Sequence, residues 1–208
     1  HKKGISSCQL AKDIDVTQKT AWFLLHRIRY ALERGSLEKF EGTTEADETY
    51  VGGKRHGKRG RGAAGKTPVF GLAERWSGEV RTQPVASVDG RTLKGLICKN
   101  VEAGSKLMTD EWGAYNGLAK EYQHERVNHG SGEYARGPVY TNTMENFWSL
   151  LKRGIFGIYH QVSPEHLHRY CSEFEFRHNT REDTDVERFG LAMRKVDGKR
   201  LTYRELIG

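Results

Sequence analysis

The chain has 208 residues, with 34 Lys+Arg against 27 Asp+Glu, 36% hydrophobic and 29% charged residues. This length suits one medium domain with a small satellite and is enough to bury a real core. Its 8 Phe, 9 Tyr and 4 Trp lift it above a disordered composition, and no run approaches the roughly 18 apolar residues of a membrane helix. The net charge of +7 points to an anionic partner, most simply nucleic acid.

The start, His1-Lys2-Lys3-Gly4, carries neither Met nor the apolar stretch of a secretory signal. The sequence therefore reads as a fragment of a cytoplasmic protein. Cys8, Cys98 and Cys171 are odd in number and form no Cys-x-x-Cys pair, which excludes a zinc ribbon within these residues. Reduced, buried structural thiols are expected.

In chain order, Ser6-Ser7 caps a short helix through Ile14, Asp15-Val16 makes a turn, and Thr17 caps a second helix. Ala21, Leu24, Leu25, Ile28 and Leu32 recur at helical spacing in the latter. The pattern predicts a helix-turn-helix over residues 1–36, in which Thr17, Gln18 and Lys19 would read DNA; any helical hairpin would share its apolar skeleton.

Thr43–Val51 is strand-like. Residues 54–66 then hold six Lys or Arg and four Gly without an acid, a composition that cannot bury a core and predicts a mobile loop. Its Lys54, Arg55, Lys58, Arg59 and Arg61 would grip phosphates. Pro68–Glu74 and Val80–Val88 predict a hairpin, and Leu93, Leu96, Ile97 and Val101 a helix. Ser105–Thr109 predicts a buried strand ending at Asp110, and Trp112 to Tyr122 a further helix. Two long helices follow, from Met144 towards Tyr159 and from Ser163-Pro164 onward. A mixed sheet with helices packed on it results, with a catalytic domain at 37–182 and a helical tail at 183–208.

Three acids stand where chemistry would use them: Asp47 inside the first strand, Asp110 at a strand end and Glu145 in the first turn of a helix. Such positions can converge at one sheet edge. Carboxylates gathered there raise one another's pKa unless neutralised, and Mg²⁺ or Mn²⁺ is the hard cation suited to oxygen donors. Each acid could equally be solvated or salt-bridged on spacing alone.

Asp-Glu-Thr-Tyr-Val-Gly-Gly-Lys (47–54), Thr-Asp-Glu-Trp-Gly-Ala-Tyr (109–115), Val-Asn-His (127–129) and Thr-Asn-Thr-Met-Glu-Asn-Phe-Trp-Ser-Leu-Leu-Lys-Arg-Gly (141–154) resemble the ribonuclease-H-like domain of bacterial insertion-sequence transposases. The subgroup is the one that usually carries a zinc ribbon before its helix-turn-helix. The similarity continues through Tyr159-His160, Ser163, Phe174-Glu175-Phe176-Arg177 and the tail at 198–204.

This resemblance implies a ribonuclease-H-like α/β fold and an Asp-Asp-Glu triad of Asp47, Asp110 and Glu145 binding Mg²⁺ or Mn²⁺. Asn146 adjoins the third position, which is assigned to Glu145. The resemblance also implies Lys152 and Arg153 beside the scissile DNA. The expected activity is cleavage at the ends of a mobile element and transfer of the freed 3′-OH into target double-stranded DNA, by a homo-oligomer assembled on DNA. The rival readings are a non-catalytic DNA-binding regulator and a nuclease on the same fold.

Trp148 suits core packing or base stacking, and His129 a place on the site's rim. His166-x-His168 and His124…His129 lack clearly spaced metal-binding partners. Gly60-x-Gly62-x-x-Gly65 follows a basic run and opens no helix, so it is not a dinucleotide fingerprint.

Overall fold

The computed structural model describes residues 4–35, 38–52, 65–127 and 141–208. Helix α1 (Ser7–Asp13) is capped by Ser6, whose hydroxyl accepts the Gln9 N–H at 3.1 Å. In the turn that follows, Asp15 takes φ +52°, a left-handed backbone that Asp tolerates. Thr17 caps α2 (Gln18–Leu32) by accepting the Thr20 N–H. Ala21, Leu25 and Leu32 are buried, but Ile28 is 52% exposed. His26 and Arg29 occupy the buried face in its place, so the expected apolar stripe is corrected at Ile28.

The sheet is built from β1 (Thr44–Gly52), β2 (Lys66–Glu74), β3 (Val80–Pro84), β4 (Lys106–Asp110) and β5 (Gln123–Val127), in the order β3-β2-β1-β4-β5. The first three pair antiparallel, and β4 and β5 add parallel to β1 and to each other. Helix α3 (Gly90–Asn100) joins the two halves, with Asp89 accepting the Thr92 N–H at its start. Side chains alternate across a sheet. Ala46, Phe70, Leu72 and Leu107 therefore share one face, and they form a core with Leu93 and Ile97 of α3 and with Tyr115. Each fully buried aliphatic chain there contributes about 1.5–3 kcal/mol.

The helix expected over Trp112–Tyr122 is corrected. Two short 3₁₀ turns, Gly113–Tyr115 and Leu118–Lys120, stand there, separated at Gly117 with φ +91°. That conformation interrupts a right-handed helix and suits glycine. Strand β5, absent from the sequence reading, follows directly. Of its Gln-His-Glu-Arg-Val sequence only Val127 is buried, so no alternating apolar pattern marks it. The result is a mixed α/β sheet flanked by helices, the ribonuclease-H-like arrangement.

Helix α4 (Asn142–Gly154) continues as a π-helical turn, Ile155–Tyr159, and ends at His160 with φ +59°. Then come α5 (Leu167–Asn179), α6 (Asp185–Val196) and α7 (Tyr203–Ile207). The chain forms two compact units, Ser36–Leu150 and, separately, His1–Gly35 with Leu151–Gly208.

In the helical unit, Arg29 of α2 donates to Glu173 of α5 at 2.7 Å, and its guanidinium lies 4.0 Å from the Tyr170 ring centroid. Tyr159 and Arg177 each donate to the same Glu173 carboxylate at 2.8 Å. The neighbouring guanidinium groups and these hydrogen bonds outweigh burial and hold the Glu173 carboxyl below its usual range. Lys199 donates to the carbonyls of Ala31 and Glu33, both at 2.8 Å, placing a cation at the C-terminal end of α2 where the helix dipole favours one. Cys171 is buried and Cys98 half-buried, but Cys8 is exposed on the first turn of α1, which corrects the expectation for that thiol. No helix among the described residues is long and apolar enough to cross a membrane.

Candidate active site

Glu45 and Asp47 lie two apart on β1 and so share a sheet face, the one opposite the α3 core. Strand β4 pairs in parallel with Thr44 opposite Leu107 and Glu45 opposite Met108. Carried two residues further, that register sets Asp47 beside Asp110. The electrostatics agree. Burial, then Glu48, then Asp110 push the Asp47 carboxyl from 3.8 up to about 8, against the opposing pull of its hydrogen bonds.

Both Asp47 oxygens are oriented: Oδ1 accepts the Glu48 N–H at 2.8 Å and Oδ2 accepts the Trp148 indole N–H at 2.9 Å. Asp110 is held by the Trp112 N–H at 2.9 Å. Glu48, on the opposite face, accepts the Tyr115 hydroxyl at 2.8 Å. Burial first, then the Glu48 charge and this bond, raise the Tyr115 hydroxyl pKa well above its usual value.

Helix α4 lies over the Asp47 face of the sheet, and one glycine permits this. Gly71 pairs with Asp47 across β1 and β2. A Cβ on Gly71 would collide with the Met144 thioether end and stand 2.7 Å from the Trp148 ring. The bare backbone leaves room for Trp148, 4% exposed, to pack there while its N–H reaches Asp47. Of the two roles considered for Trp148, the structure therefore supports packing, with a polar link to the site.

At the helix start, Glu45 is fully buried. Its Oε2 accepts the N–H groups of Thr143 and Met144 at 2.9 and 3.1 Å, and its Oε1 accepts the Thr143 hydroxyl at 2.9 Å. Arg75 Nε donates to Oε1 at 2.9 Å. Sequence reasoning missed this residue, because its partners lie 98 and 99 positions away. The only local hint was its period-two spacing from Asp47.

The structure thus brings Asp47 and Asp110 together. Glu145 stands exposed in the first turn of α4, and no three His, Cys, Asp or Glu side chains among the described residues form a ready metal cluster. Asp47 and Asp110 nonetheless fit Mg²⁺ or Mn²⁺. The donors are hard carboxylate oxygens, and two adjacent acids ionise together only where a cation offsets their charge.

Of the residues expected on DNA, Thr17 is the α2 cap and Gln18 donates its amide to Ser7 Oγ at 2.8 Å. The Lys19 ammonium sits 4.8 Å from the Tyr203 ring centroid. Lys152 and Arg153 occupy the last turn of α4. Lys54, Arg55, Lys58, Arg59 and Arg61 lie outside the described residues, as does His129.

Strand order and paired acids define an α/β domain with a carboxylate site at the β1–β4 junction. Residues 39–179 match the family model described as the ISXO2-like transposase domain, and the chain belongs to that family. It is 32% identical over 186 residues to a protein described as "Uncharacterized protein in transposable element ISH50" from Halobacterium salinarum, covering 81% of this chain. The aligned region spans 63% of that relative's length. A solved simian T-cell lymphotropic virus intasome, in complex with a PP2A regulatory subunit, is similar at 13% identity and TM-score 0.42. That alignment covers 96% of this chain and 73% of the other.

Proposed function

We propose that this chain is the catalytic part of a transposase that cuts DNA at the ends of its element and joins the freed 3′-OH to target DNA. The observation that carries the reading is the parallel β1–β4 register, which sets Asp47 beside Asp110; burial, then Glu48, then Asp110 hold the Asp47 carboxyl up at about 8. Membership of a transposase family supports it. Asp47 and Asp110 would hold Mg²⁺ or Mn²⁺, and Glu145 would complete the set. Such an ion, when bound, would polarise the scissile phosphate and the attacking oxygen.

In the first step a water oxygen bonds to phosphorus and the P–O3′ bond breaks, leaving a 3′-OH at the element end. In the second step that 3′ oxygen bonds to a target phosphorus and displaces the target's own 3′ oxygen, which leaves as a hydroxyl. No covalent protein intermediate is needed. Asp47 serves by orientation, since its two hydrogen bonds fix both oxygens in place.

The N-terminal hairpin is proposed to read the element ends through Gln18 and Lys19. The basic segment at 54–66, with Lys152 and Arg153, would grip phosphates of double-stranded DNA. Assembly as a homo-oligomer on DNA and action at the bacterial nucleoid belong to the same proposal. The functional division follows as a DNA-reading segment at 1–36, a catalytic region at 37–182 and a helical tail at 183–208.

The test is a plasmid-target assay with the full-length protein, labelled element ends and Mg²⁺. Ends both cut and joined by the wild type, and neither by Asp110→Asn, support the transposase reading. Cutting without joining indicates a nuclease. Binding with no cutting indicates a regulator, and activity retained in Asp110→Asn overturns the site.

A further inference from the structure

Glu45 is a charged side chain with no solvent exposure, the second residue of β1. A buried carboxylate is costly unless it is paired and hydrogen-bonded, and here, among the described residues, every bond runs to one of two places. Arg75 supplies the cation at 2.9 Å, and the other three bonds come from Thr143 and Met144. The first N–H groups of a helix lack partners within the helix and carry its positive dipole end. Glu45 therefore acts as a cap supplied from 98 residues away. It fastens the start of α4 to β1, two residues from Asp47.

A helix end tied at that point has little freedom to slide or rotate. The second tie is one turn further on, where Trp148 lies against Gly71 and donates to Asp47. Between the two ties stands Glu145. The first turn of α4 is thus fixed to the strand that carries Asp47 on both sides of the residue assigned as third acid.

We propose that Glu45 is the positioning residue of this site, a buried clamp that sets the first turn of α4, and with it Glu145, against the Asp47 strand. The inference rests on the proposed roles of Asp47, Asp110 and Glu145, and it concerns a side chain that touches neither substrate nor metal. Misplacing a group by about 1 Å can cost on the order of a hundredfold in rate. Glu45→Gln keeps the size and one carbonyl acceptor but turns an NH₂ towards donors and removes the charge facing Arg75.

The experiment compares wild type, Glu45→Gln and Thr143→Ala in the full-length protein with two readouts. The first is amide hydrogen exchange of residues 142–148 without metal. The second is single-turnover cleavage of an end-bearing duplex, read alongside its binding constant. Expected in Glu45→Gln are at least tenfold faster exchange at the first turn of α4 and at least tenfold slower cleavage, with DNA binding unchanged. Thr143→Ala removes one of the three helix-side bonds and keeps the charge. It should show the same pattern at a smaller size, and it carries the test if Glu45→Gln does not fold.

Unchanged exchange in a folded variant overturns the clamp. Faster exchange with undiminished cleavage overturns its positioning role. Failure of the catalytic reading looks different, since Asp110→Asn would then still cut while the exchange effect of Glu45→Gln persisted.

Discussion

The indole N–H of Trp148 donates to Oδ2 of Asp47 at 2.9 Å, joining a core aromatic of α4 directly to an acid of the candidate site. Trp148→Phe keeps most of the packing and removes the donor. Losing a hydrogen bond to a half-buried carboxylate costs about 1–3 kcal/mol. Urea unfolding should show a loss of that size, and cleavage should fall with it. Unaltered stability and cleavage would mean that the bond orients nothing.

Gly71 is the space that Trp148 fills. Gly71→Ala drives a methyl into Met144 and the indole ring, and overpacking of this kind costs about 1–3 kcal/mol. The double variant Gly71→Ala, Trp148→Phe should be less destabilised than the sum of the two singles, because the smaller ring relieves the clash. Strict additivity in equilibrium unfolding would contradict the packing described.

These two features also mark what the sequence could and could not reveal. β1, β4 and the start of α4 were legible because apolar runs and turn residues bound them, and the acids held distinct places on them: Asp47 inside β1, Asp110 at the end of β4 and Glu145 in the first turn of α4. β5 was hidden because an edge strand with one buried side chain has no period to read. Glu45 and Gly71 were hidden for another reason: each acts on residues far along the chain, Thr143 and Met144 for one, Met144 and Trp148 for the other. Ile28 was misread because the buried face of α2 takes in His26 and Arg29, polar residues that an apolar template skips.

His26 makes the helical unit sensitive to acid. It is fully buried, neither ring nitrogen has a hydrogen-bond partner among the described residues, and its ring centroid lies 4.4 Å from that of Trp22 and 4.7 Å from that of His166. Burial first, then Arg29 and His166, lower its pKa from 6.5 to about 3. A base with a depressed folded pKa favours folding while neutral. Its contribution is complete above pH 6.5 and is lost as pH falls from there towards 3. The lowered Glu173 acts in the same direction at the acid end, since protonation weakens its pairing with Arg29. Urea midpoints between pH 7.5 and 4 should fall more steeply for wild type than for His26→Phe. Parallel curves would contradict the assignment.

The basic segment is tested by salt. Each cation on a phosphate contributes about −0.9 to the slope of log affinity against log salt. Replacing Lys58, Arg59 and Arg61 together with Ala should flatten that slope by roughly two to three units. An unchanged slope would show that these cations do not touch DNA.

End recognition has a separate signature. Gln18 donates to Ser7 and would exchange that bond for a base edge on binding. Gln18→Ala should weaken binding to the element's own ends by about 1–3 kcal/mol while leaving random DNA nearly unaffected at the same salt. Equal losses on both DNAs would make the hairpin a packing element.

The central claim is that Asp47 and Asp110 jointly hold the catalytic metal. Its most direct measurement is calorimetric titration of Mn²⁺ into the DNA-bound protein, comparing wild type with Asp47→Asn and Asp110→Asn. The account predicts saturable binding in the wild type, weakened at least tenfold by either substitution. Equal Mn²⁺ affinity in all three proteins would contradict it.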